Sequence, residues 1–139
     1  MSESVSNVER ALREAAANRT VRQGFPYLAE TLRQAGVRRN VWHLPAMQAT
    51  YYTDLGPVVS QGSPLISGFA EVPAFDADRL VAALRADQAG NTTFPEFVAA
   101  AWQAGVVRYV VDLKMRTCVY YGHSGASYTE TYPAVSLAG

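Results

Sequence analysis

The chain has 139 residues, 49% hydrophobic and 17% charged, which suits one folded domain and excludes a disordered chain. Twelve basic residues balance twelve acidic ones and the sequence pI is about 6.7, so there is no global basic field to hold nucleic acid. A single cysteine, Cys118, excludes an intrachain disulfide, and no Cys/His spacing suggests a zinc site.

The opening Met-Ser-Glu-Ser-Val-Ser-Asn-Val-Glu is polar and acidic, unlike a secretory or transit signal. No apolar run approaches the roughly 18 residues of a membrane span. These features lead us to expect a cytoplasmic protein with no membrane or nucleic-acid partner, no cofactor and no metal. The charges are unevenly placed: residues 1–39 carry seven Arg against four acids, and residues 54–96 carry six acids against two Arg. Such regions can pair within the fold or between subunits, or simply be solvated helix faces.

In chain order, Ser6-Asn7-Val8-Glu9 reads as a capping box opening a helix that ends near Arg19. Gln23-Gly24 is a turn, and Phe25-Pro26 opens a second helix with Phe25, Leu28, Leu32 and Ala35 on its buried face. Gly36 should end it in the left-handed conformation. The period then changes to two, with Asn40, Trp42 and Leu44 on one side of a strand and Arg39, Val41 and His43 on the other. Pro45-Ala46 turns the chain into a second strand, Met47 to Thr53. Asp54 to Ser63 reads as a loop, punctuated by Gly56-Pro57 and Gly62-Ser63-Pro64. A third strand is expected over Leu65 to Val72, with Gly68 marking a bulge or close packing.

The order then repeats. Asp76 is a good N-cap for a helix reaching Gln88 or Ala89, and Gly90-Asn91 breaks it. Thr93-Phe94-Pro95-Glu96 is a second capping box, for a helix with Phe97, Val98, Ala101 and Trp102 on its apolar side. Gly105 ends that helix as Gly36 ends its counterpart. Strands follow at Val107–Lys114 and Arg116–Tyr121, then a Gly122–Gly125 turn and a last strand, Ala126–Tyr132. The tail from Ala134 to Gly139 should fray.

The repetition is literal. Phe25 to Tyr52 aligns without a gap to Phe94 to Tyr121, at an offset of sixty-nine residues, and eleven of twenty-eight positions are identical. Each half thus reads helix, helix, strand, strand, strand. A three-stranded antiparallel sheet has an apolar face that two helices can cover, and neither half alone has enough core. We therefore expect an α+β domain over residues 1–139. It should be built of two repeats, about 6–72 and 76–133, packed about an approximate two-fold axis with an antiparallel sheet against helices.

Phe-Pro-Glu-Phe, Ala-Gly-Val-Val-Arg-Tyr-Val-Val-Asp, Tyr-Tyr-Gly-His-Ser-Gly and Tyr-Thr-Glu-Thr-Tyr-Pro resemble the YbcV-like family of small bacterial and prophage proteins. The likeness runs from Phe25 to Pro133 and is strongest over the second copy. The first copy departs from it, with His43 in the place of Asp112. Because that family is a domain of unknown function, the resemblance implies a fold and no reaction.

No nucleophile elbow, P-loop, dinucleotide fingerprint, metalloprotease helix or EF-hand loop is present, so catalytic residues stay unassigned. Gly122-His123-Ser124-Gly125 lacks a following helix and reads as a hairpin turn. His43 and Asp112 occupy the same place in the two copies. They are either a general base held by a carboxylate near the axis, or polar residues on a solvent face beside Arg39 and Arg108. Tyr51, Tyr52, Tyr120 and Tyr121 close the two units, and suit a strand surface, a ligand pocket or an interface. Glu130 shares a face with Tyr128 and Tyr132. It is either a site acid or the cross-strand partner of Lys114 or Arg116. Trp102 reads as core or interface, and Cys118 as a small packed hydrophobe.

His43, Asp112, Tyr120, Tyr121 and Glu130 are therefore the candidate ligand-binding residues. Two functional classes remain: an interaction module acting as a homodimer, or a small enzyme or ligand-binding protein with a small-molecule pocket between the repeats. A deep cleft at the seam holding His43 and Asp112 would favour the second, and a flat aromatic patch the first. Strands of the second half with apolar residues on both sides imply a sheet covered twice, hence a homodimer centred on the Tyr120–Tyr132 region.

Overall fold

Each copy of the repeat supplies two helices and then three strands. The first comprises α1 (Glu3–Ala17), α2 (Phe25–Gln34), β1 (Val37–His43), β2 (Gln48–Thr53) and β3 (Gly56–Gln61). The second comprises α3 (Ala77–Gln88), α4 (Phe94–Gln103), β4 (Arg108–Asp112), β5 (Thr117–Tyr121) and β6 (Ser127–Thr131). The computed structural model describes residues 2–17 and 24–137, so the expected end of the first helix at Arg19 and the turn residue Gln23 lie outside the described residues.

All six strands form one antiparallel sheet in the order β3-β2-β1-β4-β5-β6, and the two copies meet where β1 pairs with β4. The fold is α+β, as the order helix, helix, strand, strand, strand predicts. Two separate three-stranded sheets do not form, because the edge of β1 left free by its hairpin with β2 is filled by β4.

The core lies on one face of this sheet. Val37, Leu44, Ala49, Tyr51, Tyr109, Val111, Leu113, Cys118 and Tyr120 are buried there beneath Val8, Leu32, Leu80, Val98 and Trp102 from the four helices. Asn40 is the buried polar residue of the sheet, and it is satisfied: its amide donates to the Thr50 carbonyl at 3.1 Å and its oxygen accepts from the Trp42 indole at 2.9 Å. The copies interlock through their unit helices. Phe94, at the start of α4, packs on Trp42 of β1 at 5.0 Å, while Phe25, at the start of α2, meets Tyr132 beyond β6 at 5.1 Å.

Several local expectations hold. Asp76 caps α3 by accepting from the Arg79 amide, and Thr93 and Glu96 form the full capping box of α4. Gly36 and Gly105 sit at φ of 93° and 90°, where the unit helices turn into strands. Met47 and Arg116, sixty-nine residues apart, both adopt positive φ in the matching hairpin turns.

Other expectations are corrected. The first helix begins three residues earlier than Ser6, because Ser2 provides the start: its hydroxyl accepts from the Val5 amide and its carbonyl from the Ser6 amide. The third strand of the first copy is Gly56–Gln61, within the stretch expected to be a loop, and Leu65–Val72 is not a strand. Gly56-Pro57 does not break it, since Thr53 pairs with Gly56 across a two-residue turn and β3 is an edge strand, where proline is tolerated. Gly68 is neither bulged nor closely packed; at φ 65° it bends an open connection. Leu137 of the tail lines a groove with Arg10 and Glu14 of α1 and Gln34 of α2, and the last two residues of the tail lie outside the described residues.

Candidate functional site

Strand alternation leaves the second face of the sheet without a helix over it, among the described residues. On β1, Asn40 points into the core, as does Leu44 just beyond the strand, while Arg39, Val41 and His43 point away. On β4 the outward set is Arg108, Val110 and Asp112, and the register carries this alternation across all six strands. The central row of the open face runs Val59, Thr50, Val41, Val110, Val119, Thr129, all β-branched. Val41, Val110 and Val119 are half-buried by their neighbours, whereas Val59 at the β3 edge is 60% exposed.

Polar rows flank this ridge. On one side Tyr52, Arg39, Asp112 and Thr117 are successive cross-strand neighbours; on the other, Gln48, His43, Arg108 and Tyr121 are. The Arg39 guanidinium lies 4.4 Å over the Tyr52 ring, and the Arg108 guanidinium 3.9 Å over the Tyr121 ring. Both pairs occupy equivalent places in the duplication. Among the described residues neither guanidinium makes a hydrogen bond or ion pair, so the tyrosine ring is the polar partner of each charge.

His43 and Asp112 both lie on this face, but not together. Asp112 pairs with Arg39 and His43 with Arg108, at opposite ends of the β1–β4 ladder and about 13 Å apart along the strands. The arrangement of a base held by a carboxylate is absent. Asp112 instead shapes the β4–β5 turn, its Oδ1 accepting from the amides of Lys114 at 3.0 Å and Met115 at 2.9 Å. Tyr121 shares the open face with them, and Tyr52, outside the candidate set, is its counterpart.

Tyr120 and Glu130 are on the helix-covered face. Tyr120 is core, and burial pushes its hydroxyl far above the ordinary tyrosine value. Glu130 pairs with Arg85 of α3 at 2.7 Å and accepts from Tyr128 at 3.0 Å and Gln88 at 3.1 Å. Neither Lys114 nor Arg116 is its partner, because those side chains sit in the β4–β5 turn. Burial raises the Glu130 carboxyl, but the bonds from Arg85, Tyr128 and Gln88 outweigh it and the net shift is downward. Tyr128 shares the inner face with Tyr120, so Tyr121 and Tyr128 cannot meet at one interface centre.

At the seam between the copies β1 and β4 are joined by backbone pairing. A shallow opening of about 510 Å³ is lined by Pro73–Arg79 and Gln103, and neither His43 nor Asp112 lines it. Among the described residues no group of three His, Cys, Asp or Glu side chains is placed to hold a metal ion, and no helix is long and apolar enough to cross a membrane.

The family model described as "Protein of unknown function (DUF1398)" matches residues 68–130, which take in α3, α4 and the three strands of the second copy as far as Glu130. Across 139 residues the chain is 61% identical to Uncharacterized protein Rv2012 of Mycobacterium tuberculosis and to Uncharacterized protein Mb2035 of Mycobacterium bovis. Each alignment covers 100% of this chain and 85% of the relative. These matches support a domain of unknown function; the YbcV-like label rests on the sequence resemblance alone.

Proposed function

The chain belongs to the family of these uncharacterised mycobacterial proteins, and from its own geometry we propose that it is an interaction module, not an enzyme, acting as a homodimer through the open face of its sheet. The observation that carries this reading is where the duplication preserves identity. Most of the eleven identical positions have a structural reason: Val37 and Val106, Leu44 and Leu113, and Tyr51 and Tyr120 are core, and Gly36 and Gly105 are caps. Arg39 and Arg108, Val41 and Val110, and Tyr52 and Tyr121 serve neither core nor cap, for all six are on the uncovered face.

An apolar ridge rimmed by arginine and tyrosine is the composition of an interface, with a desolvated centre and amphipathic anchors around it. Its size is adequate. Six strands at ~4.8 Å spacing by five residues at ~3.3 Å give about 500 Å² per copy in projection, or about 1,000 Å² in total, the lower limit of a specific interface. Such a face buries its valines only against another apolar face, and a second copy presents one.

The test is sedimentation of the wild type beside a Val41→Glu, Val110→Glu double variant. The reading expects a wild-type dimer and a variant monomer with unchanged far-UV circular dichroism. A variant that dimerises as wild type does would place the contact elsewhere.

A further inference from the structure

The open face also fixes how two copies would meet. Its charges are not distributed two-fold symmetrically, although its arginines are. Arg39 has Asp112 as cross-strand neighbour, whereas Arg108, its counterpart, has His43. One guanidinium on each copy therefore lies beside a carboxylate and one does not.

Two sheets stacked face to face with aligned strands can be related by a two-fold axis parallel to the strands or by one running across them. An axis parallel to the strands, above the β1–β4 seam, sets Arg39 against Asp112 of the partner subunit and Arg108 against the partner's His43. Both Asp112 carboxylates then serve Arg39, and both Arg108 cations enter a drying interface with no carboxylate. Leaving a charge unpaired there is the costly outcome. An axis across the strands, along the central row of valines and threonines, exchanges the two polar rows instead. Asp112 then faces Arg108 of the partner subunit while keeping Arg39 beside it in its own sheet.

Resting on the homodimer reading, we infer that the two-fold axis follows the Val59–Thr129 row and that Asp112 bridges its own Arg39 and the partner's Arg108. The carboxylate is suited to this. Both turn amides bond to Oδ1, so Oδ2 is free among the described residues, and Arg108 has no other acceptor there. All four guanidiniums of the dimer then have a carboxylate neighbour, and the valine ridges lie on each other.

Two measurements test this apart from dimerisation itself. A nitroxide on Thr129→Cys, with buried Cys118 left in place, reports the axis. Along the row, β6 lies over its own copy at the ~10 Å sheet spacing; with the other axis the two β6 strands lie about 26 Å apart. Strong dipolar broadening at close range is expected. The second measurement is a double-mutant cycle on dimer affinity. Asp112→Asn keeps an oxygen for the turn amides and should weaken the dimer about tenfold or more, and adding Arg108→Gln should weaken it little further. A dimer with widely separated labels, or with additive effects of the two substitutions, overturns this axis while leaving the dimer reading intact. A wild-type monomer overturns both.

Discussion

Val41 and Val110 are cross-strand partners at the centre of the sheet, and they are also each other's counterpart in the duplication, sixty-nine residues apart. The pseudo-two-fold axis therefore passes through this one pair. From it follow the opposite placement of His43 and Asp112 and the matched Arg–Tyr contacts on either side. A residue two positions beyond the axis on β1 meets, on β4, the counterpart of the residue two positions before it.

Gly36 and Gly105 are equivalent in conformation but not in surroundings. A Cβ on Gly36 would come nearest the Asp54 side chain, at 3.4 Å, whereas one on Gly105 would lie 2.4 Å from the Ala74 carbonyl oxygen. Gly36→Ala should cost about 1–2 kcal/mol for its positive φ. Gly105→Ala should cost clearly more, because the connection Pro73–Phe75 must also move. Chemical denaturation of both variants checks the order; equal losses would mean that the connection yields freely.

Cys118 should be chemically silent. It is 6% exposed, and burial pushes its thiol up to about 12, so almost no thiolate exists at neutral pH. An aromatic disulfide reagent should react slowly with native protein and at once after denaturation, and electrophoresis should be the same with and without reductant. Fast labelling of the native protein contradicts the packing described here.

The Glu130–Arg85 pair ties β6 to α3, and its contribution should depend on pH in one direction. The folded-state carboxyl is shifted down, so its stabilisation is present above the ordinary value of 4.5 and lost as pH falls through the folded value. Glu130→Gln should lower the melting temperature by about 2–4 °C at pH 7, and the gap should close toward pH 3. A gap that persists in acid would assign the loss to packing.

The sequence discloses the duplication, the caps of α3 and α4, the left-handed glycines and the inward set of β1, because each is a local pattern. It also misleads in physically intelligible ways. Gly56-Pro57 looks like a break because edge position, which makes proline harmless, is a tertiary property. Shifting Ser127–Thr131 back by sixty-nine residues lands on residues 58–62, and this was the available signal for β3. Equivalence of His43 and Asp112 suggests proximity, yet an antiparallel pairing centred on Val41 and Val110 separates them. The Glu130–Arg85 contact spans forty-five residues between a strand and a helix, and no spacing rule reaches that far.

The central claim is that the uncovered valine ridge meets a second copy of itself. The most direct test is the mass of the wild-type protein by light scattering across a micromolar concentration series. A mass near twice the 15.1 kDa of the chain, falling to the monomer value in Val41→Glu, Val110→Glu, is the predicted result. A wild-type mass of one chain throughout the series would contradict it, and the open face would then be an ordinary solvated sheet surface.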